Sequence, residues 1–253
     1  MVEDIVPSRL ENPINFKIFV VIIAAVIGFH SLVNFTENSD ELIYAFSITI
    51  PGIVAVFSFI TAKKYSGTLV YSKAYVALGI GFLGIFFGEV TYLIYEQILE
   101  LEPYPSIADV FFFLFYPMIS IYLIFNIRFF APKTQLWEKI IVGIIPVAIT
   151  LGYLLLTISE ELSFDFYYGM VFVIATSIAL GLAVYAARIF KEGLLGTAWL
   201  ILVIGILMLV GGDIWYYYIE LFEGYSLEHI VNLFWYGGYL VILYALYKHK
   251  SSL

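Results

Sequence analysis

The chain has 253 residues, 62% hydrophobic and only 13% charged, where an ordinary soluble domain carries about 25% charged residues. That excludes a water-soluble globular domain, and a net charge of −8 excludes a nucleic-acid partner, since phosphate binding is driven by Lys and Arg. Cysteine is absent, which removes disulfides, thiol nucleophiles and thiolate metal sites.

A membrane-spanning helix needs about 20 apolar residues. Eight segments meet that length: residues 18–35, 42–62, 74–98, 110–127, 140–158, 166–187, 194–221 and 230–247. The first begins after Met1-Val-Glu-Asp, which lacks a basic leader, so no cleaved signal peptide is expected. Acidic turns follow the odd segments: Glu37, Asp40 and Glu41; Glu100 and Glu102; Glu160, Glu161 and Asp165; Glu223 and Glu228. Basic turns follow segments two, four and six: Lys63, Lys64 and Lys73; Arg128, Lys133 and Lys139; Arg188 and Lys191. Arg9 and Lys17 precede the first segment, and Lys248 and Lys250 close the last. All 12 basic residues thus fall on one side, and the positive-inside rule makes both termini cytoplasmic in a cell membrane.

Segment three contains Gly88-Glu89-Val90-Thr91-Tyr92, running on to Glu96. Segment seven carries a near-copy, Gly212-Asp213-Ile214-Trp215-Tyr216, running on to Glu220. Segment four adds Phe115-Tyr116-Pro117 and segment eight Trp235-Tyr236-Gly237. The expected fold is therefore an all-α polytopic membrane protein with eight transmembrane helices, arranged as two parallel four-helix repeats, residues 1–133 and 134–253.

Helical spacing puts Glu89, Tyr92 and Glu96 on one face, and Asp213, Tyr216 and Glu220 on another. A carboxylate at membrane depth costs about 2.5 kcal/mol or more, and such residues mark functional sites. A structural carboxylate that fixes helix packing is the competing reading. At the same depth lie His30, Asp109, His229 and Asn232, with Tyr116 and Tyr236 nearby. Together they predict an outward-facing, aromatic-lined pocket between the two repeats. Its ligand-binding set is Glu89, Tyr92, Asp109, Tyr116, Asp213, Tyr216, His229, Asn232 and Tyr236. Asp109 also suits a helix cap, since Ser106-Ile-Ala-Asp109 offers a cap serine and a first-turn acid. Glu96, Glu100, Glu102 and Glu220 read as a solvated rim. Gly81, Gly84 and Gly88 let a neighbouring helix approach segment three. The inner halves of the helices carry no buried charge.

Glu89, Asp213, His30 and His229 are the only metal-ligand candidates of note, and no H-x-x-H or H-E-x-x-H spacing supports them. No metal or other cofactor is expected. Every Lys lies at a segment end, which excludes a retinal Schiff base. There is no phosphate loop, Ser-x-x-Lys or G-x-S-x-G, so a non-enzymatic protein is favoured.

The stretch Pro103-Tyr104-Pro105-Ser106-Ile107-Ala108-Asp109, followed by Tyr116-Pro117, resembles the "YPSxAD…YP" signature of multi-pass N-terminal membrane modules. In bacteria and archaea these precede diguanylate cyclase, phosphodiesterase or histidine kinase domains and are presumed sensors. Gly212-Asp213 with Tyr216, and Asn232-Leu-Phe-Trp235 with Gly238-Tyr239, resemble two further stretches of the same modules, with Asn232 where the family usually has Asp. The resemblance covers about half the chain, and implies a sensor module without naming its ligand. Since this chain stops just past segment eight, the expected role is a stand-alone sensor. It would take a small ligand, lipid or proton from outside and signal through a cytoplasmic partner. The rivals are a transporter with its site at the repeat interface, a lipid-acting or metal-assisted enzyme, and a structural subunit of a membrane complex.

Overall fold

The computed structural model describes residues 14–37, 39–68, 70–130, 135–157, 163–190, 196–222 and 224–251. Arg9, Lys133, Glu160, Glu161, Lys191 and Glu223 lie outside the described residues, and of the Lys139 side chain nothing is described. Eight α-helices occur among the described residues: α1 Phe16–Phe35, α2 Asp40–Lys64, α3 Tyr71–Leu93, α4 Ile107–Phe130, α5 Leu136–Thr157, α6 Phe164–Phe190, α7 Gly196–Phe222 and α8 Asn232–Ser251. No strand occurs among the described residues.

Their lengths, 20 to 27 residues, correspond to roughly 30–40 Å at 1.5 Å per residue, close to the ~30 Å hydrocarbon thickness of a bilayer. A helix satisfies all its interior backbone groups without water, which is why such apolar sequence takes this form. Six of the helices are long and apolar enough to cross a membrane. Val20, Val21, Ile23 and Ile27 on α1, and Leu151 and Leu155 on α5, are all exposed. Large apolar side chains facing outward from a folded bundle fit lipid, and the protein is membrane-embedded.

The ends are set by local chemistry. Asn15 caps α1, its side chain accepting the Lys17 N–H at 3.1 Å. α2 starts on Asp40 and Glu41 and finishes on Lys63 and Lys64, charges that suit its dipole at both ends. α3 continues into a π turn, Ile94–Ile98.

The packing order matters most for function. α2 packs on α3, α3 on α4, α4 on α6, α6 on α7, α7 on α8, and α8 back on α2. These six helices close a ring. α1 leans on α8 and α5 on α6, both outside it. α8 is less apolar than its neighbours, with Asn232, two glycines and four tyrosines. Flanked by α1, α2 and α7, it needs no lipid-facing surface all round.

Close approach inside the ring rests on glycine. A Cβ on Gly84 would meet the Phe111 carbonyl oxygen at 2.6 Å, and one on Gly88 the Phe112 ring at 2.6 Å. The α7–α8 seam is built alike, since a Cβ on Gly205 would lie 2.5 Å from Ile242 and 3.0 Å from the Gly238 oxygen.

Candidate functional site

The ring encloses a cavity of about 250 Å³ near the end of the bundle that carries the acidic turns. Glu89 enters it from α3 and Asp213 from α7, which stand opposite one another in the ring. Tyr92, Asp109, Tyr116 and Tyr216 also line it, so six of the nine expected ligand-binding residues meet at one cavity.

The other three lie behind the wall or away from it. Asn232 accepts the Tyr225 hydroxyl at 2.9 Å and donates to the Leu227 carbonyl at 2.5 Å, bracing the loop that forms part of the rim. His229 accepts the Val231 N–H at 3.1 Å and sets its ring against Trp215. Tyr236 packs on Phe29 and Phe46, at 5.4 and 4.7 Å between ring centroids. His30 is near Asn34, one turn on in α1. No three His, Asp or Glu side chains are grouped for a metal ion among the described residues.

Each carboxylate is held differently. Asp213 accepts the Trp235 indole N–H at 2.9 Å and the Thr176 hydroxyl at 3.4 Å, so one side chain ties α6, α7 and α8. Tyr116 lies beside it. Glu89 faces Ser47 of α2, whose hydroxyl sits outside hydrogen-bond geometry. Asp109 accepts the Ser106 N–H at 2.6 Å while the Ser106 hydroxyl accepts the Ala108 N–H at 3.2 Å. That is a capping box at the start of α4, and Asp109 is cap and cavity wall at once.

Three residues read from the sequence as solvated rim belong to the cavity: Glu96, Glu102 and Glu220. Glu96 accepts the Tyr44 hydroxyl of α2. One Glu220 carboxylate oxygen is buried and lacks any hydrogen-bond partner. Glu100 and Glu102 are both exposed, Glu102 along the cavity and Glu100 outside it, while Glu96 and Glu220 are part-buried. The loop residues Pro103, Tyr104, Tyr225 and Leu227 complete the wall around those two, which helix periodicity leaves at the membrane edge.

Tyr104, Tyr168 and Tyr225 are wall residues the sequence reading did not single out. Tyr104 belongs to the Pro103–Asp109 stretch. Its hydroxyl donates to Asp165 at 2.8 Å and its ring packs edge-on to Tyr168, so this stretch links the α4 entry to α6. Burial, then the bond to Asp165, pushes the Tyr104 hydroxyl pKa above its usual 10.0, so the phenol stays neutral. The motif was visible in the sequence; that it reaches α6 was not.

The floor is closed. Ile85, Phe115, Leu209 and Tyr239 line its base, and Phe82 reaches across the ring to Tyr239, 6.0 Å between centroids. Beyond this apolar layer, toward the basic end, lies a second polar group. Tyr75, Tyr122, Asn126 and His249 are each fully buried. Their two hydroxyls, the Asn126 carbonyl oxygen and both imidazole nitrogens have no hydrogen-bond partner. The His249 ring sits 5.3 Å from Trp199 and 5.7 Å from Tyr75. The expectation that the inner halves hold no buried charge is corrected here, since Lys248 is also buried. Lys248-His249-Lys250 follows the last apolar segment in sequence, yet α8 runs through it and buries His249 against Tyr75 and Trp199 while Lys250 stays exposed.

Comparison with known protein families, with curated proteins and with solved structures finds no match for this chain.

Proposed function

We propose that the chain is an integral membrane sensor or receptor-like module. Its cavity takes a small ligand from the outer side of the cell membrane and relays the event to a cytoplasmic partner. The observation that carries this reading is a cavity with a rim of loops at one end and a closed apolar floor at the other. A blind pocket suits binding better than passage.

Three further observations support it. Basic side chains such as Lys17, Lys64, Lys73, Arg128 and Lys250 gather at the end opposite the cavity, as expected for eight spans with cytoplasmic termini. The ring order exchanges α2, α3, α4 for α6, α7, α8, as expected for two four-helix repeats about an axis through the cavity. The sensor-like signature, Pro103 to Asp109, forms part of the rim. α8 is the route for the relay. Its Trp235 holds Asp213, while at its far end the Tyr65 hydroxyl donates to the His249 carbonyl at 3.1 Å and Lys64 donates to that of Lys250.

The test is a thermal-shift screen of soluble small molecules on the purified chain in nanodiscs, beside Glu89→Gln and Asp213→Asn. The reading requires compounds whose shift depends on either carboxylate. If every shift survives both substitutions, the cavity is not the binding site. A transporter is the second reading, favoured by the unpartnered polar atoms of Tyr75, Tyr122, Asn126 and His249 on the other side of the floor. Flux through proteoliposomes that depends on Glu89 would select it.

A further inference from the structure

We infer that the ligand is a small organic cation, an alkylammonium or quaternary ammonium; this rests on the cavity being a ligand site. The wall holds six carboxylates and nine tyrosines, and no lysine, arginine or histidine occurs among its described residues. An anion would meet like charge on every side. A neutral ligand would bring no counter-charge to Glu89 or to the unbonded Glu220 oxygen. A bare metal ion asks for several oxygen ligands converging on one point, and no such group is present among the described residues.

The aromatic walls favour a diffuse cation. Faces of Tyr and Trp attract ammonium groups through the ring quadrupole, most strongly where water is excluded. Tyr216 stands 5.6 Å from Trp235 and 5.2 Å from Tyr225, three rings of one wall next to Asp213. Unused acceptor capacity points the same way. The buried Glu220 oxygen, part of the wall, lacks a donor, which an alkylammonium N–H would supply. At about 250 Å³ the cavity falls just under the ~300–1,000 Å³ usual for drug-sized ligands, which suits a small molecule.

The experiment compares four probes on the intact chain in nanodiscs by calorimetry and thermal shift. They are choline, ethylammonium, acetate, and the neutral alcohol in which carbon replaces the choline nitrogen. The expected result is saturable binding of one or both cations, with the neutral isostere and acetate weaker by about tenfold or more. Asp213→Asn and Tyr216→Leu should each weaken cation binding by a similar factor, and Tyr216→Phe, which keeps the ring face, by much less. The wild-type comparison needs no variant to fold. Isostere and choline binding equally would overturn the cation while leaving a small-molecule site in place. Binding of acetate alone, or of none of the four, would also overturn it, and the carboxylate-dependent screen then decides the site separately.

Discussion

Replacing Gly84 by alanine tests the packing that sets the cavity's width. The new Cβ would lie 2.6 Å from the Phe111 carbonyl oxygen, a backbone atom that cannot swing away. Ordinary contact begins at 3.4 Å, so α3 and α4 must part by about 0.8 Å. Overpacking of this kind costs roughly 1–3 kcal/mol. In a chain of this size each kcal/mol moves the unfolding temperature by about 2–4 °C, so the expected fall is about 2–12 °C. Gly143→Ala in α5 is the control, because nothing lies within 4 Å of its Cβ position. It should leave the temperature unchanged or slightly raised, alanine being the better helix former. The assay is thermal unfolding in nanodiscs followed by intrinsic tryptophan fluorescence. Equal unfolding temperatures for the two variants would refute the claim that α3 and α4 are held at glycine distance.

Further outcomes follow from other contacts. Trp235→Phe removes a donor to Asp213 and should destabilise by about 1.5–3 kcal/mol. Combined with Asp213→Asn, the loss should fall short of additive by about 0.5 kcal/mol or more, and strict additivity would deny the bond. The chain has no cysteine, so single-cysteine labelling is clean. Ser226→Cys should react with an impermeant maleimide on intact cells and Ser66→Cys only after lysis; the reverse would invert the orientation. For Tyr104 and Tyr225 the fold raises the phenol pKa, through burial first in both. Their contribution is therefore complete below the unfolded pKa of about 10 and lost as pH rises above it. Tyr104→Phe should blunt the alkaline fall in unfolding temperature, and an unchanged alkaline profile would remove this role.

Much of this was readable from residue order. Each expected segment overlaps an observed helix, because twenty apolar residues leave few alternatives. Glu89, Tyr92, Asp213 and Tyr216 reach the cavity because spacings of three and seven residues keep a helical face. What periodicity does not carry is which helices are neighbours. Tyr168 lines the cavity only because α4 packs on α6, a contact between the two halves with no local signature. Asn232 and His229 have the right depth but are engaged by the loop beside them. His249 shows the converse, a polar residue between two lysines that tertiary packing buries completely.

The apolar layer beneath the cavity also says what kind of barrier this protein holds. Polar groups lie above and below it, yet the packed Phe82 and Phe115 rings give water nothing to bind. Such a constriction closes by dewetting rather than by a lid. Its seal depends on surface chemistry, so a hydroxyl or amide placed at Phe82 would hydrate the axis without any helix moving. A closed receptor and a leaky pore on this ring would differ by the wettability of a few side chains.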